Sequence, residues 1–249
     1  MDANTSIKHI IIIMDQSGSM SVMGDEPKEA VNIFLNEQNK QQQKVVVSLW
    51  LFNHNCINIM NDKPLDESLK LDSYKPEGMT AMYDAITESI NSKKKQLEDS
   101  NQLYNCEVSC VIISDGQDNS SIKSNMKDVK QLITDMESKY NWLFVYLGAN
   151  QDSFSESKQI GINMCGNFDQ TVKDDFVNLM RQTSDSISKK EYQLFSTGIK
   201  EGDIKTTELN LADCEKEISD SIPPPPPPIW SRTEEYEIFS PNSLINRKN

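Results

Sequence analysis

The sequence predicts a doubly wound α/β domain, a mostly parallel six-stranded sheet flanked by helices, over residues 1–190, followed by a disordered acidic tail over residues 191–249. Apolar runs of strand length alternate with amphipathic segments of helix length, which is the pattern of repeated βα units. The first run, residues 9–14, is nearly all isoleucine, as expected for a central strand covered on both faces.

The elements follow in order. Pro27 opens the first helix, with Ala30, Val31 and Phe34 on its apolar side, and the helix runs to about Gln42. Residues 44–52 form the second strand, and residues 56–60 pair with it as a short antiparallel edge across the turn Asn53-His54-Asn55. Thr80 opens a helix whose buried stripe is Ala81, Ala85, Ile86 and Ile90. The run Lys93-Lys94-Lys95 falls at its end and reads as a solvated terminus, where cations suit the helix dipole. Residues 108–114 are a third long apolar strand. The next helix, residues 125–140, places Met126, Val129, Leu132, Ile133, Met136 and Tyr140 at spacings of three and four. A strand at 142–147, a short helix at 153–160 and a short strand at 163–168 come next. A last helix, about 171–189, carries Val172, Phe176, Leu179, Met180, Thr183 and Ile187.

Composition narrows the function classes. With 25 basic against 38 acidic side chains the formal charge is −13, a balance that repels phosphate and argues against nucleic acid as a partner. The apolar run at 10–14 is too short for a leader or a membrane span, so the expected location is the cytoplasm, with no membrane partner. Cys56, Cys106, Cys110, Cys165 and Cys214 form no C-x-x-C pair, and the chain has only 2 histidines. Reduced core thiols are expected, rather than disulfides or zinc. Beyond residue 190 the periodicity decays, and six consecutive prolines at 223–228 predict a stiff polyproline II rod. The rod is either a spacer or a ligand for a polyproline-binding protein.

The chemistry concentrates where strands end. The first strand runs into Asp15-Gln16-Ser17-Gly18-Ser19, a D-x-S-x-S pattern that random order would produce about 0.25 times in a chain of this composition. Gly78-Met79-Thr80 precedes a helix, and Ser114-Asp115-Gly116 ends a strand. All three turns are expected on the rim of an open α/β sheet where ligands bind. The hydroxyls of Ser17, Ser19 and Thr80 with the carboxylates of Asp15 and Asp115 make a hard oxygen set, suited to Mg²⁺ or Mn²⁺ and poor for zinc. Few formal charges in the inner shell leave the ion electrophilic, and a carboxylate from a partner protein is the natural last ligand. Asp118, Asn119 and Asp152 fall near the same rim, and Met20, Met23 and Met79 flank it, either to pack on a ligand or to cover the loop bases.

Strand-D-x-S-G-S, then G-x-T before a helix, then strand-S-D-G, resembles a von Willebrand factor type A domain with its metal-ion-dependent adhesion site, and similar turns occur in compact stand-alone bacterial and viral members. The motif residues correspond to Asp15, Ser17, Ser19, Thr80 and Asp115. The resemblance implies metal-dependent protein binding without catalysis. Enzyme readings fit less well. An aspartate-nucleophile phosphatase needs an acid two positions after Asp15, where Ser17 stands, and no phosphate-binding glycine loop occurs. Two alternatives are a scaffold acting through its proline tract and a metal-dependent hydrolase.

Overall fold

The isoleucine run forms strand β1 (Lys8–Asp15), buried along its whole length. Successive strand side chains point to opposite faces, so Ile10, Ile12 and Met14 enter one core while Ile11 and Ile13 enter the other. The computed structural model describes residues 7–41, 43–149, 153–189 and 195–196. The chain divides into two units, Met1–Gly202 and Asp203–Asn249, and every described residue belongs to the first. The proline tract at 223–228, Cys214 and Asp152 lie outside the described residues.

After β1 come a 3₁₀ turn (Gly18–Met23), α1 (Glu26–Asn39), β2 (Val45–Phe52), β3 (Cys56–Pro64), α2 (Met82–Asp99) and β4 (Glu107–Ser114). Then follow α3 (Met126–Tyr140), β5 (Leu143–Ala149), α4 (Ser153–Gln159), β6 (Met164–Phe168), α5 (Asp175–Lys189) and a two-residue β7 (Phe195–Ser196). The strand order is β3-β2-β1-β4-β5-β6-β7, antiparallel only at β2–β3. The expected mostly parallel six-stranded sheet is present, with β7 added at the far edge. Strands β2 and β3 build outward from one side of β1 and β4 to β6 from the other, so the order reverses between β1 and β4, where open α/β sheets leave a crevice for ligands. No helix among the described residues is long and apolar enough to cross a membrane.

Several expectations are corrected. The edge strand β3 extends to Pro64, nine residues, through a register shift against β2 that the alternation of 56–60 does not show. Helix α5 starts at Asp175, so Val172 stands on the preceding loop and is exposed instead of joining the buried stripe. Met126, the first residue of α3, is likewise exposed; Asn125 caps that helix by accepting the N–H groups of Lys127 and Asp128. The largest correction concerns Lys93. Helix α2 continues to Asp99, which places Lys93 inside the helix and almost fully buried, with its ammonium on Asp62 and on Gln96 Oε1 at 3.0 Å. Cys110 and Cys165 are buried free thiols and Cys56 and Cys106 are half-buried, and burial pushes the Cys56 thiol up to about 12.

Candidate functional site

Asp15 ends β1 and Ser114 ends β4, side by side at the reversal point. The Asp15 carboxylate is fully buried. Its Oδ1 accepts the Ser17 N–H at 2.7 Å and its Oδ2 accepts the Ser114 hydroxyl at 2.6 Å. The first of these bonds is an Asx turn, and it folds the chain sharply away from the strand. Ser17 and Ser19 then present their hydroxyls to one another, Oγ to Oγ 3.1 Å, and Ser19 Oγ donates to Asp115 Oδ1 at 2.8 Å. Four of the five sequence-predicted residues thus form one hydrogen-bonded cluster. Ser17 is buried within it, Ser19 is exposed and Asp115 is intermediate. Burial is the main cause that pushes the Asp15 carboxyl up to about 6, helped by the nearby charge of Asp115 and opposed by the bonds from Ser114 and Ser17.

Thr80 approaches from a separate loop. Gly18 donates its N–H to the Gly78 carbonyl at 3.0 Å and Glu77 donates to the Gln16 carbonyl at 2.8 Å, so the strand-end loop and the Gly78-Met79-Thr80 loop share backbone bonds. Gly78 has φ +80°, a conformation that favours glycine. A Cβ there would stand 2.4 Å from His54 Nδ1. Gly78→Ala is therefore expected to lower stability by more than about 1 kcal/mol, read by thermal unfolding, and an unchanged Tm would contradict this. Thr80 itself is buried, its N–H donates to Asn119 Oδ1 at 2.9 Å, and its carbonyl accepts the Asn119 N–H at 2.9 Å. Its hydroxyl makes no hydrogen bond among the described residues.

The remaining rim residues are braces. The flanking residue of α2, Ala81, offers no side-chain cap, and the free N–H groups of its first turn are met from the β4–α3 loop instead. Tyr83 donates to Asp118 Oδ2 at 3.0 Å and Asp84 to Ser121 Oγ at 2.9 Å. In return the Asp84 carboxylate accepts the N–H groups of Ile122, Lys123 and Ser124. Two contacts carry no sequence signal. The Tyr74 hydroxyl donates to the Asp15 carbonyl at 2.5 Å, and Gln170, on the β6–α5 loop, donates to Asp115 Oδ2 at 2.8 Å. Met20 and Met23 are core residues that cover the loop base, whereas Met79 is exposed beside Thr80. Among the described residues no group of three or more His, Cys, Asp or Glu side chains could hold a metal ion, so any ion at this rim has to be held largely by hydroxyl oxygens.

The sequence matches no protein-family model and no curated protein. Solved structures do resemble the fold. The pilus adhesin SpaC from Lactobacillus rhamnosus GG aligns over 76% of this chain and 31% of its own, with a TM-score of 0.56 and 13% identity. A von Willebrand factor type A protein from Catenulispora acidiphila aligns over 72% of this chain and 42% of its own, TM-score 0.53 and 14% identity. Proximal thread matrix protein 1 from the mussel byssus aligns over 74% and 46%, TM-score 0.51 and 14% identity. This chain spans less than half the length of each of the three. The likeness establishes architecture: the chain has the von Willebrand factor type A fold.

Proposed function

We propose that Asp15, Ser17, Ser19, Thr80 and Asp115 hold one Mg²⁺ or Mn²⁺ and that the ion binds a carboxylate of a partner protein, without turnover. The observation that carries this reading is the spacing of the donors. Adjacent oxygens around an octahedral Mg²⁺ stand about 2.9 Å apart, and the two serine hydroxyls are 3.1 Å apart, with the Asp115 carboxylate 2.8 Å from Ser19 behind them. Both oxygens of Asp15 and both of Asp115 are already engaged, which suits roles partly through water, while Ser17, Ser19 and Thr80 supply direct ligands. When bound, the ion supplies a Lewis-acidic position for an outside anion. The protein's own residues hold the loops: Asn119 fixes Thr80, Gln170 orients Asp115, and Ser114 with Ser17 orients Asp15.

Affinity capture with the wild type and Asp15→Ala, with and without divalent ions, tests the reading. Partners retained by the wild type only with ion present support it; partners retained by both proteins in chelator contradict it. Deleting residues 191–249 separates the scaffold alternative, in which capture is lost with the tail alone. Proton competition gives a second check. Because Asp15 titrates near 6, cation binding is expected to be strongest above that pH and to weaken about tenfold per unit below it. The Mg²⁺-induced rise in Tm should therefore shrink sharply between pH 7 and pH 5, and an equal rise at both would contradict the assignment.

A further inference from the structure

Eight large apolar side chains stand exposed among the described residues, and four of them, Val22, Met79, Ile122 and Val172, are 50–88% exposed on the loops that carry the cluster and its braces. Their backbones are held in place. Val22 lies in the 3₁₀ turn that contains Ser19, and Met79 precedes Thr80. The Ile122 N–H is fixed by Asp84 at 3.0 Å, and the Val172 N–H by the Asp169 carbonyl at 3.1 Å, two residues beyond Gln170. Two more, Ile57 and Ile59, line a groove of about 540 Å³ beside β3, together with Leu51 and Met60. Its wall includes Gln16, which stands between Asp15 and Ser17. Six of the eight therefore lie on or next to the rim that holds the hydroxyl–carboxylate cluster, a concentration of the kind that marks an interaction surface.

Charge selects the occupant. A chain of formal charge −13 repels a partner carrying runs of acid, so attraction through one carboxylate has to be supplemented by apolar contact and by a partner that is not itself acidic. The groove wall carries Lys70 and Lys75 against Asp72 and Glu77, so it is balanced in charge and leaves apolar contact to do the selecting there. We infer that the partner is a protein of neutral or basic net charge presenting one Asp or Glu flanked by large apolar side chains in an extended segment. Its acid sits at the cluster and its apolar side chains rest on Val22, Met79, Ile122 and Val172 and in the adjoining groove. This rests on the metal-bridged reading of the cluster.

Selection of short random peptides on the full chain in Mn²⁺, eluted with chelator, tests it. Enriched peptides are expected to carry a single acid with large apolar neighbours and no acidic run. The double variant Val22→Ser, Ile122→Ser is expected to bind those peptides at least about tenfold more weakly while taking up Mn²⁺ like the wild type. Enriched peptides with an acid but no apolar neighbours, or a double variant that binds them normally, overturn the inference and leave the metal-bridged reading standing. If no peptide eluted by chelator carries an acid, the metal-bridged reading fails and this inference falls with it.

Discussion

Asp15→Asn is expected to raise the Tm of the metal-free chain near pH 8 and to abolish any further rise on adding Mg²⁺ or Mn²⁺. Burial holds the Asp15 carboxyl near 6, against 3.8 for an ordinary aspartate. A raised carboxyl favours the folded state while protonated; that contribution is complete below about pH 4 and is lost as pH rises through 6. Near pH 8 the group is ionised in both states, and the fold has given up about 3 kcal/mol relative to a chain protonated at this position. Asparagine keeps the shape without the charge. Its oxygen can accept the Ser17 N–H and its amide can donate to Ser114 Oγ, whose own proton has the Gly116 carbonyl at 3.2 Å as an alternative acceptor. The variant therefore gains stability and loses the cation. A lower Tm without metal, or a retained metal-induced rise, would contradict the account.

Asp62→Asn is expected to cost about 2–3 kcal/mol in urea unfolding, a breakage discounted because the Asp62 side chain is partly exposed. It leaves the Lys93 ammonium almost fully buried without its counterion. Burial alone pushes Asp62 up, but His9 at 3.9 Å, the Lys93 ammonium and the Ser48 hydroxyl at 3.0 Å outweigh it and hold the carboxyl well below its usual range. Asparagine is the proper probe, since Asp62 has φ +46°, which Asn tolerates better than Ala. Lys93→Met alone should cost less, because the carboxylate it strands still reaches water and Ser48. The double variant should recover most of the loss. A single Asp62→Asn substitution with unchanged unfolding would show that the pair contributes nothing.

The parts of the fold that were legible in the sequence are those where local pattern and tertiary environment agree. β1 and β4 are covered on both faces, so an unbroken apolar run suffices to find them, and α3 packs one stripe against the sheet with a capping asparagine at its start. Where a partner distant in sequence decides, the pattern misleads. Lys93 reads as solvated because nothing near it in sequence announces Asp62, 31 residues away on a bulged edge strand. Val172 has helical spacing to Phe176, but Asp175 opens the helix and its carboxylate accepts the Asp169 N–H at 2.7 Å, closing a turn first. At the rim, Asp15, Ser17, Ser19 and Asp115 were visible as oxygen donors where strands run out. Tyr74, Asp84 and Gln170 were not, since each acts through long-range bonds to backbone or carboxylate groups, one each for Tyr74 and Gln170 and three for Asp84.

Manganese uptake by the full chain, followed near pH 7.5 through the loss of the free-ion electron paramagnetic resonance signal, tests the central claim most directly. The account expects the wild type to take up one ion per chain, Mg²⁺ to displace it, and Asp15→Asn to take up none. A wild type that leaves the free-ion signal untouched, or an Asp15→Asn chain that removes it equally well, would contradict the assignment of this loop cluster as a cation site.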